Sequence, residues 1–290
     1  MIVRMNLRDT LRVPSGRAVD LAKIAPDSTP GLPKVKGKPK AWARAQLDEI
    51  GAELAVLQEK LFATVKTTEA STRVLMVLQA MDCGGKDGTV KKVAGTMNPQ
   101  GLQVASFGKP TAEELSHDFL WRIRNALPTA GHIGVFNRSH YEDVLIARVH
   151  ELVPKRTWQA RYAKINQFEK GLARDGFTIL KIMLHISKSE QAVRLDERLH
   201  DPTKYWKYNP GDIDERAFWN DYQSAYADAL SKCSTDVAPW YVVPADNKWY
   251  RDWAVASILR DTMQEMDLTY PPAAFDVTTE RARLHTSAAT

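Results

Sequence analysis

Apolar residues in this chain follow two alternating rhythms. Short apolar runs recur at Arg73–Ala80, Gln103–Phe107, Gly131–Phe136, Phe177–Ile186 and Trp240–Val243. Runs of that length, bounded by turn residues, predict strands buried on both faces. Between them, apolar residues return every third or fourth position. Leu47, Ile50, Leu54, Leu57 and Leu61 predict a helix from Ala41 to about Thr64. Further helices are expected from the first strand's loop to about Ala94, over Ala112–Leu127, Tyr141–Val149 and Lys155–Asp175, and in a closing segment lined by Val255, Ile258, Leu259, Thr262 and Met266. Strands alternating with helices predict an α/β fold, a parallel five-stranded sheet flanked by helices. Pro14, Gly16, Pro30, Gly31, Pro33, Gly37 and Pro39 punctuate residues 1–40, which predicts an extended leader over the surface. The main domain is expected over 41–270, with a lid at about 187–215, and residues 271–290 read as a loose tail.

The first strand ends in Ala80-Met81-Asp82-Cys83-Gly84-Gly85-Lys86-Asp87-Gly88-Thr89. An apolar strand, a glycine turn and a helix start together make a phosphate site. Unpaired backbone N–H groups and the helix dipole attract an anion, and Lys86 adds a point charge. Gly85, Lys86, Asp87, Gly88 and Thr89 are the expected phosphate contacts, with Lys91 and Lys92 further along the helix. Two positions depart from the usual phosphate-loop pattern. Ala80 stands where a glycine is usual, and Asp87 where Ser or Thr holds a metal.

The third strand runs into Asn137-Arg138-Ser139-His140-Tyr141-Glu142-Asp143. Ligands of open α/β sheets sit beyond the carboxyl ends of the strands, so these residues are expected to face the loop. Phosphoryl transfer needs cations on the transferred oxygens and carboxylates to place a metal. Arg138 and Lys86 are the candidate cations; Asp82, Glu142 and Asp143 are the candidate metal ligands. Asn137 is a poor metal anchor where a carboxylate is usual. Arg148, two turns on, is a candidate for the same cleft. After the fourth strand, Arg194 and Arg198 share one face of a predicted helix that Pro202 stops, and Lys204 and Lys207 continue the positive charge. Such a basic hairpin suits a lid that closes over phosphates and excludes water.

Composition narrows the class. Hydrophobic residues make up 44%, which excludes global disorder. No stretch approaches the roughly 18 uncharged apolar residues of a membrane span. The start of the chain lacks the apolar core of a signal peptide, and two cysteines are too few for a disulfide framework, so the cytoplasm is the expected compartment. Residues 1–44 hold ten basic and three acidic residues, a net of +7, so the rest of the +5 chain carries −2. A basic leader suits an anionic polymer, yet it lacks the aromatic interleaving that stacks bases, which disfavours nucleic acid.

The motifs in order, Ala80–Thr89, Phe136–Leu145, Ser187–Arg198 and Asp201–Lys207, resemble the polyphosphate kinase 2 family. The match runs from about residue 10 to residue 270. Asn137-Arg-Ser-His-Tyr-Glu142 is similar to that family's third, single-domain class. The resemblance implies a thymidylate-kinase-like P-loop kinase fold with a helical lid. It also implies magnesium, or manganese, as cofactor, and a homo-oligomer, dimer or tetramer. The activity it implies is phosphoryl transfer from inorganic polyphosphate to ADP or AMP, forming ATP or ADP. Asp82, Lys86, Arg138 and Glu142 then correspond to the catalytic set. An ATP-dependent nucleoside monophosphate kinase and a non-catalytic nucleotide- or polyanion-binding protein are the alternatives.

Overall fold

The computed structural model describes residues 7–287; Arg4 of the leader and the last three residues of the tail lie outside them. Five strands form one all-parallel sheet: β1 (Arg73–Ala80), β2 (Leu102–Ser106), β3 (Ile133–Asn137), β4 (Phe177–His185) and β5 (Trp240–Pro244), in the order β2-β3-β1-β4-β5. The strands come from the apolar runs, with ends shifted by at most two residues at a few termini. The chain order reverses direction at β1, and the crevice of an open α/β sheet lies above such a switch point. The loop after β1 therefore opens where a ligand fits.

Side-chain alternation divides the core between the two faces. Val74, Met76 and Leu78 of β1 pack with Leu54, Tyr241 and Val255, beneath the helices Pro39–Thr67 and Lys248–Gln264. Leu75 and Val77 pack the other way, with Phe136, Ile179 and Leu172. The helices Lys155–Arg174 and Trp219–Cys233 close that second face through Trp158, Tyr162 and Leu230, packed with Trp240 of β5. Among the described residues, no helix is long and apolar enough to cross a membrane.

Four expectations change. Residues 7–38 do not merely run over the surface. Leu7, Leu11, Val13 and Leu21 are buried, Arg12 bridges Tyr241 antiparallel, and the Val13 N–H bonds the Trp240 carbonyl at 2.8 Å. An edge strand offers unpaired backbone groups, and the leader covers those of β5. The helix expected over Ala112–Leu127 is two short ones, Ala112–Leu115 and Trp121–Asn125. Ser116 Oγ bonds the Glu113 carbonyl and Asp118 Oδ1 accepts the Leu120 N–H, so side chains compete with the helix ladder between them. The helix expected over Tyr141–Val149 breaks into a 3-10 turn, His140–Asp143, and a short helix, Ile146–Val149. The tail is helical over Val277–Ser287, with no buried residue.

A charged residue lies inside the sheet. Lys181 of β4 has no solvent exposure, and its ammonium has three acceptors: Glu169 Oε2 at 2.5 Å, the Tyr141 hydroxyl at 2.8 Å and the Cys233 carbonyl at 2.6 Å. Three N–H bonds match three acceptors. Removing one partner of a buried pair strands the other charge, so Lys181→Met is expected to lower unfolding free energy by about 3–5 kcal/mol. Pairing it with Glu169→Leu should restore part of that loss, because no charge is then stranded. Urea denaturation of the three variants measures both effects, and a loss below about 1 kcal/mol in the single variant contradicts the assignment.

Candidate active site

The loop after β1 is shaped by two glycines. Gly85 caps the helix Lys86–Val93 in the left-handed region, φ +105°, and a Cβ there would collide with the Arg251 guanidinium. A Cβ on Gly84 would meet the Ala80 methyl at 2.5 Å and the Met81 carbonyl at 2.9 Å. The close approach leaves Lys86 buried, with its ammonium on the Ala80 carbonyl at 3.0 Å. Burial, then the neighbouring Arg138 charge, lowers the Lys86 pKa despite Asp82 and Glu142 nearby.

The turn after β3 faces this loop. Arg138 adopts φ +64°, which is uncommon for a residue with a side chain, and its N–H bonds the Leu78 carbonyl of β1 at 3.0 Å. Its guanidinium reaches Asp82 Oδ1 at 2.9 Å and Glu142 Oε2 at 3.6 Å. Behind it the turn is held by buried polar groups. Gln79 donates to Ser139 Oγ at 3.1 Å, His140 meets Glu169 Oε1 at 3.1 Å, and the Tyr141 hydroxyl donates to the same oxygen at 2.9 Å. His140 is buried on this network and lines neither cavity described below.

The two departures from the loop pattern answer each other. Asn137 Nδ2 donates to Asp87 Oδ1 at 2.7 Å, joining the end of β3 to the first turn of the loop helix. The neutral amide therefore receives the carboxylate that replaces the usual hydroxyl.

Two cavities open here. The larger, about 570 Å³, is lined by Asp82, Gly85, Lys86, Asp87, Gly88, Arg138, Arg194 and Arg198, together with Lys204, Lys207 and Lys248. The smaller, about 220 Å³, is lined by Asp82, Arg138, Glu142, Asp212, Glu215, Tyr222 and Tyr226. They share Asp82, Arg138, Asn209 and Asp212. One wall is basic and the other is rich in carboxylates and tyrosines.

Several expected contacts lie elsewhere. Arg194 lines the cleft, but its guanidinium donates to the carbonyls of Cys83, Ala245 and Asp246 and to Glu190, so it clamps the loop to the end of β5. Arg198 donates to the Lys207 carbonyl at 2.9 Å and pairs with Asp212 at 3.3 Å, tying the helix Lys188–His200 to the short helix Gly211–Glu215. Arg148 is drawn off by Asp228 at 2.6 Å and lies over Trp158. Asp143 is held by Arg161 at 3.0 Å, outside both cavities. Thr89 is buried under the loop, and Lys91 and Lys92 line a separate cavity.

Sequence reasoning passed over Asp212, Glu215, Tyr222 and Tyr226. Asp212 has a raised pKa, from burial first and then from Asp82. A signal existed: Trp219, Tyr222, Tyr226, Leu230 and Cys233 recur at helical spacing in a stretch for which no element was expected.

The family described as Polyphosphate kinase 2 (PPK2) matches this chain over residues 39–271. An AMP/ADP-polyphosphate phosphotransferase of Meiothermus ruber is 48% identical over 258 residues, covering 89% of this chain and 93% of the relative. An ADP-polyphosphate phosphotransferase of Rhodopseudomonas palustris is 41% identical over 272 residues, covering 90% of this chain and 91% of the relative. The crystal structure of Polyphosphate Kinase 2 from Arthrobacter aurescens TC1 has a TM-score of 0.93 at 50% identity and covers 98% of both chains. With the motif order, the sheet order and the loop geometry in agreement, this chain belongs to the polyphosphate kinase 2 family.

Proposed function

We propose that this protein transfers the terminal phosphoryl group of inorganic polyphosphate to ADP or AMP, giving ATP or ADP. The observation that carries the reading is the meeting of two unlike cavities at Asp82 and Arg138. The basic cleft suits a chain of phosphates. The smaller cavity repels a bare polyanion, and its carboxylates and tyrosines suit the hydroxyls and amino groups of a nucleoside. The names of the relatives favour this over the ATP-dependent nucleoside monophosphate kinase and the non-catalytic binder.

In-line transfer between two bound phosphates is mostly positioning and charge stabilisation, so no covalent nucleophile is required. Lys86 and Arg138 supply fixed positive charge where the phosphoryl oxygens pass, and the loop N–H groups add to it. The lid carrying Arg198, Lys204 and Lys207 excludes water, which favours transfer over hydrolysis. Among the described residues, no group of three or more acidic, His or Cys ligands suits a closed metal cage. Asp82 and Glu142 fit a divalent ion that takes one or two carboxylates plus substrate phosphates, magnesium by resemblance and manganese as the alternative. Such an ion, when bound, neutralises charge on the transferred and bridging oxygens.

The direct test incubates purified protein with magnesium, polyphosphate and ADP or AMP and follows ATP and ADP. Product formation is expected, and Lys86→Ala should cut turnover by about 10²–10⁴-fold. Near-normal turnover in that variant, with unchanged circular dichroism, contradicts the role of the loop.

Lys86 also sets a pH limit. Its pKa is lowered, so its charge is present at low pH and is lost as pH rises through a value below the ordinary lysine range. The profile of kcat/KM should therefore fall on an alkaline limb earlier than a free lysine would give, and Lys86→Arg should move that limb upward. A limb that stays in place in Lys86→Arg assigns it to another group.

A further inference from the structure

Beside the cleft lies a third cavity of about 910 Å³, and Lys248 lines both it and the cleft. Three elements, distant in sequence, deliver its cations. Lys40 and Arg44 come from the start of the helix Pro39–Thr67, Lys91 and Lys92 from the last turn of the loop helix, and Lys248 from the first turn of the closing helix. All five are exposed.

The acidic residues of this cavity are mostly engaged. Glu190 holds Arg194 at 2.8 Å, Asp246 accepts the Ser187 N–H at 2.8 Å, and Asp252 accepts two N–H bonds from Arg251. Asp48 is the remaining carboxylate. Lys248 pairs with Glu197 at 3.0 Å, whereas Lys40, Arg44, Lys91 and Lys92 make no ion pair among the described residues. Unpaired like charges around one concavity repel each other, and a bound polyanion relieves that repulsion.

We infer that this cavity is an extension of the donor site and carries the distal phosphates of a long polyphosphate chain whose end lies in the cleft. The inference rests on the donor reading above and adds a direction: the chain leaves the cleft past Lys248 and runs between the two helix starts and the end of the loop helix. A chain too short to pass Lys248 gains nothing from these cations. The site therefore gives the enzyme a preference for long donors without altering the transfer step.

The experiment compares long-chain polyphosphate with tripolyphosphate, with ADP as acceptor, in wild type and in the double variants Lys40→Ala with Arg44→Ala and Lys91→Ala with Lys92→Ala. The long-chain KM should rise about tenfold or more in each, as expected for two lost contacts to a polyanion, and should become less sensitive to salt. The long-chain kcat and both tripolyphosphate constants should stay within about twofold. Equal rises for both donors, or no rise for either, overturns the extended site while leaving the activity intact. A wild type that uses neither donor overturns the functional reading, and the extended site with it.

Discussion

The buried pair of Lys181 and Glu169 fixes the turn on which the candidate active site depends. Lys181 belongs to the central part of β4, and Glu169 to the helix packed across it. Burial alone would raise the Glu169 pKa, but Lys181 and His140 outweigh it and keep the carboxylate low. That carboxylate then holds His140 and Tyr141, two of the three residues between Arg138 and Glu142. A left-handed residue costs on the order of 1–3 kcal/mol and persists only where its surroundings over-determine it. Arg138 has such surroundings: the Leu78 carbonyl before it, Ser139 bonded to Gln79 behind it, and the Glu169 network beyond. A charge placed inside the sheet thus aims another charge above it.

This arrangement separates the cations into two kinds. Lys181, Arg148, Arg161 and Arg194 have protein partners that fix elements in place. Lys86 lines the larger cavity, Arg138 stands where the two cavities meet, and Lys204, Lys207 and Lys248 continue the positive field. Sequence position alone does not sort them. Arg194 and Arg198 lie four residues apart on one helix, yet the first clamps the loop backbone and the second joins that helix to Gly211–Glu215.

The strands, the loop and the motif order were legible because they rest on local pattern: buried runs, glycine turns and a helix start. The pairing of Asn137 with Asp87 was not legible. Each residue looked like a separate anomaly, and only the adjacency of β1 and β3 brings them together. The pull of Asp228 on Arg148 was not legible, because that partner sits on the helix Trp219–Cys233, a stretch for which no element is expected. The burial of Leu7, Leu11 and Val13 was not legible either, because it depends on the edge of β5 and not on the local run of prolines and glycines. Lys181 carried a signal of its own. A lysine in the middle of a strand buried on both faces needs a buried partner.

The claim that the Glu169 network acts through the turn is tested most directly by a double-variant cycle on kcat. Tyr141→Phe removes one hydroxyl from the network and keeps the ring, and Glu142→Gln removes the carboxylate that the turn presents. If the network works by positioning that carboxylate and Arg138, the two losses overlap, and the double variant is about as slow as the slower single one. Losses that simply add in free energy, or a Tyr141→Phe enzyme with unchanged kcat, would contradict the account.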